Sequence, residues 1–365
     1  MSVAPSTSEA WATLSRKALP HEALVALLKA FGDPEAILNA TRAQLLALVP
    51  DAVAARIHAP VDADALATTR DWLADPAHAL IAWDDPDYPR ALLQLGHAPV
   101  ALYYVGRREL LNRPALAIVG SRNASAQGAE NARAFALALA QAGLTIVSGL
   151  AVGVDAAAHE GALGGEASTL AVVGTGLDRV YPARHRELAH RIAAHGGLVS
   201  EFPPGTPPRE KNFPRRNRLI SGLARGVLVV EAALSSGSLI TARYAGDQGR
   251  EVFAIPGSIH SPLSKGCHKL IREGAKLVET AHDILEELGM GMGAAGATAA
   301  TAAVAANDDE ATLLAALDAD AAAVDTLVAR TGLAPDVVMI ALTRLELDGQ
   351  VAATPGGLWQ RVHRT

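Results

Sequence analysis

The stretch ALAIVGSRNASAQGAENARAFALALAQAGLTIVSG, residues 115–149, decides how the chain folds. It opens on a short apolar run (115–120) that ends in glycine. A polar turn of small residues follows, then a segment with helical spacing, then a second apolar run, LTIVSG (144–149), that again ends on small residues. Apolar runs without alternation fit strands covered on both faces, and a helix between two of them makes a βαβ unit with parallel strands. Outward from it the same rhythm returns at STLAVVG (168–174), GLVSE (197–201), GVLVVE (226–231) and EVFAIPG (251–257). Right-handed crossovers turn such a series into an α/β domain, a Rossmann-like, doubly wound parallel sheet. It is expected over residues 79–288.

The flanks read differently. Residues 1–78 predict a small helical domain of the SAM or helix-hairpin-helix kind: Leu24, Leu27, Leu28 and Phe31 fall at helical spacing, Gly32 and Asp33-Pro34 stop and restart the helix, and another begins near Thr41. Between Trp83 and Tyr104 the chain is rich in proline and aromatics and reads as an irregular lead-in ending in a strand. Residues 289–309, GMGMGAAGATAATAAVAAN and its neighbours, read as a flexible Ala/Gly linker. Residues 310–365 predict short helices and then a hairpin, a winged-helix-like domain. Acids in and just before it (Asp308, Asp309, Glu310, Asp318, Asp320) favour an accessory or protein-contact role over duplex reading.

Composition narrows the class. At 365 residues, 50% hydrophobic and 19% charged, the chain is globular, and no apolar stretch reaches the roughly 20 residues that span a bilayer, so no membrane partner is expected. The start MSVAPSTSEAW lacks a basic segment followed by an apolar one, which predicts a cytoplasmic protein. The single cysteine, Cys267, cannot form an intramolecular disulfide and is a poor start for a zinc site. No metal and no cofactor are expected. The formal charge of −6 argues against nucleic acid, but between Pro203 and Gly226 six basic residues face the one acid Glu210.

In a parallel α/β sheet, ligands bind beyond the carboxyl ends of the strands. The residues there are Gly120, Ser121 and Arg122, then Ser148 and Gly149, then Gly174, Thr175 and Gly176. Small residues and helix N-termini suit phosphate, although tight turns need small residues in any case. The spacing GSRNASAQG is not a dinucleotide fingerprint, and no P-loop occurs. In EKNFPRRNRLISGLARG (210–226), Lys211, Arg215, Arg216 and Arg218 surround Phe213, the cation-and-ring mixture that single-stranded nucleic acid needs. The alternative buries Phe213 in the core and pairs the arginines with acids such as Glu201 and Glu231. Asp155 and His159, four apart on one helix face, read first as structural groups and second as an acid–base or metal pair. Ser235, Ser236 and Ser238 would be nucleophiles only beside a base, and Ser238 and Thr241 are expected to cap a helix or meet phosphate. No catalytic residue is assigned.

The ordered combination of LAIVGSRNAS, TIVSGLAVGVDAAAHEGAL, VVGTGLDRVYPARHRELAHRI, NFPRRNRLISG, EAALSSGSLITA, VFAIPGSI and SKGCHKL resembles the DNA processing protein A family (DprA, also called Smf), over roughly Tyr88–Leu288. The resemblance implies a protein that binds single-stranded DNA on an extended Rossmann-like domain, dimerises through it, and helps load the RecA recombinase during natural transformation, without being an enzyme. A single-strand-binding protein is a further candidate partner. Carried onto this sequence, the DNA pocket would use Gly120, Ser121, Arg122, Ser148, Gly149, Lys211, Phe213, Arg216, Asn217, Arg218, Ser238, Thr241 and Lys265. Phosphates would cross helix N-termini, Arg122 and Lys211, with Phe213 stacking a base. The rival class is a nucleotide-processing enzyme of the phosphoribohydrolase type on a similar sheet. Its hallmark PGGxGTxxE is absent, and the nearest stretch, SSGSLITA, lacks the paired glycines and the glutamate.

Overall fold

In the computed structural model, which describes residues 5–290, 308–317, 322–347, 350–354 and 358–361, nine strands pair into one sheet. They are β1 (His78–Ala82), β2 (Ala101–Gly106), β3 (Ala115–Gly120), β4 (Thr145–Ser148), β5 (Thr169–Val172), β6 (Gly197–Ser200), β7 (Gly226–Val230), β8 (Glu251–Ala254) and β9 (Lys276–Leu277). Their order is β1-β2-β6-β5-β4-β3-β7-β8-β9. All six apolar runs form strands, and these pair in parallel, as a sheet covered on both faces requires. Several end before the glycine or serine that closes the run, because those residues turn towards the next helix. The order reverses at β3: β4 lies to one side and β7 to the other, which leaves a switch point between the carboxyl ends of β3 and β7.

The sheet is mostly rather than wholly parallel. β1 pairs antiparallel with β2, and β2 antiparallel with β6, so an antiparallel edge extends the parallel centre. The sequence reading placed a strand only at the end of the 83–104 lead-in and missed β1. β1 finds its partner some twenty residues away, and both strands are covered on both faces. Ala79, Ile81, Leu102 and Tyr104 point into the main core, while Leu80, Ala82, Ala101 and Tyr103 point into a second one.

That second core is built by the N-terminal helices. Trp11, Leu14, Leu24, Leu27, Ile37, Leu45 and Ile57 bury their side chains there against β1 and β2. Gly32 ends the His21–Phe31 helix at φ +86°, and the Asp33 carboxylate accepts the Ala36 N–H at 2.8 Å to start Pro34–Asn39. Thr41 and Gln44 form a capping box, but its helix stops at Leu46 and a separate one runs Asp51–His58.

By contacts the chain divides into two units, 1–289 and 290–365. In the second, helices Asp308–Ala316, Val324–Thr331 and Pro335–Leu347 enclose a small core with Leu313, Leu327, Leu342 and Leu345. A three-stranded sheet of β10 (Ala322–Ala323), β11 (Val351–Thr354) and β12 (Leu358–Arg361) completes a winged helix. Most of the stretch read as a linker, residues 291–307, lies outside the described residues, as do Asp318 and Asp320.

Candidate nucleic-acid interface

A cleft of about 460 Å³ opens at the switch point. One wall is the turn after β3, where Gly120, Ser121, Arg122 and Asn123 leave the strand. The opposite wall is the Asn212–Leu223 helix, presenting Phe213, Arg216, Asn217 and Ile220. The Ser235–Ser238 loop and Thr241, at the start of the Ser238–Asp247 helix, line it as well. Gly120 is required at the first wall, because a Cβ there would collide with the Val230 carbonyl and the Val154 side chain. Ser121 Oγ accepts the Asn123 N–H at 3.1 Å and holds the turn. Arg122 is exposed and makes no ion pair among the described residues.

The floor is a buried polar network around the loop after β4. Asp155 Oδ2 accepts the N–H groups of Gly149 (3.1 Å) and Ala151 (3.3 Å). Arg216, only 5% exposed, donates to the carbonyls of Gly149, at 2.7 Å, and Val172. Gly149 lies between them: a Cβ there would stand 2.7 Å from both Arg216 Nη2 and Asp155 Oδ2. Burial pushes the Asp155 carboxyl above its ordinary range, against the pull of Arg216. Burial also draws Arg216 down to about 10, still cationic at neutral pH. The Leu150 N–H donates to His159 Nε2 at 3.3 Å, so the proton sits on Nδ1, which donates to Thr169 Oγ1 at 2.7 Å. Burial holds that imidazole neutral, with its pKa down to about 3. Asp155 and His159 therefore serve as structural groups, the reading the sequence favoured.

A model of the DNA recombination-mediator protein A family matches residues 79–289, more than half of the chain. The chain belongs to that family. The resemblance read from the motifs is thereby borne out, and a model of the DprA winged helix domain matches residues 297–357. Protein Smf of Escherichia coli K12 is 45% identical over 292 residues, 78% of each chain. The solved structure of DprA from Streptococcus pneumoniae superposes with a TM-score of 0.66 at 38% identity, over 79% of this chain and 99% of that one. DprA from Helicobacter pylori, whose structure was described for its single-stranded DNA binding mode, gives a TM-score of 0.53 at 30% identity, over 58% and 95%.

In this family member the cleft gathers eight of the thirteen expected residues: Gly120, Ser121, Arg122, Phe213, Arg216, Asn217, Ser238 and Thr241. The other five stand elsewhere. Ser148 is fully buried and donates to the Ile118 carbonyl at 2.6 Å, tying β4 to β3, so it cannot touch a ligand. Gly149 lies beneath Arg216. Arg218 is held by the Glu201 carboxylate at 2.5 Å and by the His97 carbonyl at 2.6 Å. Lys211 is exposed just ahead of the helix, and Lys265 Nζ donates to the Ile259 carbonyl at 2.6 Å, both off the cleft lining.

The remaining alternatives resolve residue by residue. Glu201, with its side chain 3% exposed, also accepts from Arg215 at 3.1 Å, as the ion-pair reading supposed. Glu231 instead takes the Ser125 N–H at 2.8 Å and its hydroxyl at 2.5 Å. The Gly174–Gly176 turn is not a phosphate rim. It is buried, Gly174 leaving room for the Phe213 ring and its carbonyl accepting from Asn212 Nδ2 at 3.0 Å. Phe213 is half-buried, with one side seated on that turn and another on the cleft, so core and ligand readings each describe part of it. The sequence reading did not single out Asn123 and Ile220 of the lining, nor Tyr181, whose ring centroid lies 5.6 Å from that of Phe213.

Proposed function

We propose that the cleft binds single-stranded DNA, with Arg122 and the first turn of the Ser238–Asp247 helix meeting phosphates and Phe213 stacking a base. The observation that carries this reading is the pairing of an uncommitted cation, Arg122, with an aromatic ring, Phe213, across one open cleft at the switch point. Single-stranded nucleic acid needs both a charged track and a stacking face, and neither distinguishes one base from another. The DNA binding described for the Helicobacter pylori relative supports it. Lys211 and Lys265, outside the cleft, would meet the strand only along its flanks. A nucleotide-cleaving enzyme would need a free carboxylate or imidazole. Asp155, the acid on the lining, already holds two amides, and the hydroxyls of Ser236 and Ser238 bond each other at 2.7 Å. The proposal therefore includes binding without catalysis.

The wider reading follows the family. The protein acts in the cytoplasm as a homodimer that holds incoming single strands during natural transformation and hands them to RecA, with a single-strand-binding protein as a further partner. Fluorescence anisotropy with labelled oligo-dT and a duplex of equal length tests the first step. Binding is expected to favour the single strand, to weaken steeply with salt, and to resist AMP and ATP. Arg122→Ala should lower affinity and reduce the salt slope by about 1 while the fold stays intact. Equal affinity for duplex, or displacement by mononucleotide, would overturn the reading.

A further inference from the structure

We propose that Tyr181 forms a second nucleobase-stacking subsite, continuing outward the platform that Phe213 begins; the inference rests on the single-stranded DNA reading. Among the described residues Tyr181 is the one Phe, Tyr or Trp that stands exposed, at 48%. A large ring left in water forgoes the stabilisation of burial, and such rings mark contact surfaces. Its position is not accidental to the cleft. The ring sits 5.6 Å from Phe213, tilted 35° to it, and Phe213 lines the cleft. A strand that stacks one base on Phe213 therefore has the Tyr181 ring as the adjacent aromatic within reach of its next base.

The loop that carries Tyr181 is tied on both sides. His185 Nδ1 donates to the Leu150 carbonyl at 2.9 Å, which links the loop to the turn after β4 that Asp155, His159 and Arg216 hold. On the other side the Gly205 N–H donates to Asp178 Oδ1 at 2.9 Å, and the Gly176 N–H to the Thr206 carbonyl at 3.0 Å. A ring presented on so fixed a loop loses little entropy when a base stacks on it. The same loop exposes Arg184, three residues on, which makes no ion pair among the described residues and is free to meet a phosphate.

Stacking and charge separate cleanly in the test. Tyr181→Ala is expected to weaken oligo-dT binding by about fivefold or more, with an unchanged salt slope because no phosphate contact is lost. Tyr181→Phe should bind as the wild type does. In Tyr181→Trp, oligo-dT should quench the new fluorescence, while an abasic oligonucleotide of the same length and charge should not. If Tyr181→Ala binds like the wild type, or the abasic strand quenches equally, the subsite does not exist. Should Tyr181→Ala fail to fold, the quenching contrast decides alone. A wild-type protein that ignores oligo-dT would instead sink the DNA reading itself.

Discussion

The two walls of the cleft are both arginine-bearing, and their arginines do opposite things. On the turn after β3, Arg122 is exposed and unpaired among the described residues. On the Asn212–Leu223 helix, Arg215 and Arg218 share Glu201, Arg215 also lies over the Phe202 ring at 5.4 Å, and Arg216 is buried against two carbonyls. The basic stripe from Pro203 to Gly226 looked like a nucleic-acid track, yet much of its charge holds the molecule together. Local charge density thus says little about which cations are free. Available acceptors decide: Glu201 and the backbone carbonyls lie within reach of the helix, and among the described residues no carboxylate stands within ion-pair distance of Arg122.

This contrast can be broken in several ways. The largest effect belongs to Arg216→Ala, which strips two carbonyls of their donor and leaves Asp155 buried without its cation. It should cost about 3 kcal/mol or more in stability, read from the urea midpoint, whereas Arg122→Ala should cost less than about 0.5 kcal/mol. Equal losses in both would erase the distinction between the two walls.

A middle-sized effect concerns acid. His159 is held neutral in the fold, its pKa drawn from 6.5 to about 3, so below pH 6.5 the unfolded chain takes up a proton that the folded chain refuses. Stability should therefore fall as pH drops from about 6.5 towards about 3. Asp155, raised by burial, works in the opposite sense: it favours the fold at low pH and loses that contribution as pH rises. Replacing His159 by Gln should flatten the acid limb of a stability-against-pH curve above pH 5, where an ordinary carboxyl is already ionised. An unchanged limb would mean that His159 is not the group responsible.

The smallest effect is Ser148→Ala. Losing one buried hydrogen bond to the Ile118 carbonyl should cost about 1 kcal/mol without changing oligo-dT affinity in the folded protein. A drop in affinity at full stability would return Ser148 to the binding site.

How much was legible follows from which interactions are local. The six central strands showed because each is a short apolar run, most of them closed by small residues, a pattern that depends on burial of both faces. β1 did not show, since HALIA acquires its meaning from β2 on one side and from Trp11 and Leu14 on the other. Within the site, Gly120, Ser121 and Arg122 could be placed by the rule that ligands meet strand ends. The same rule misplaced Ser148, whose hydroxyl turns inward to the Ile118 carbonyl, and the Gly174–Gly176 turn, because it does not say which strand ends are capped by another segment. Here the 203–213 segment packs over the turn after β5.

By itself the sequence determined the alternation of strand and helix, the positions of the turns and the family motifs, because these depend on hydrophobic period and on glycine where a backbone must pass closely. Only the tertiary structure decided which cations are free, that Asp155 and His159 hold a loop, and that Tyr181 stands next to Phe213. Those outcomes turn on distances between residues far apart in the chain. A hydrogen bond or ion pair has no signature in the order of residues, only in the folded proximity of its partners.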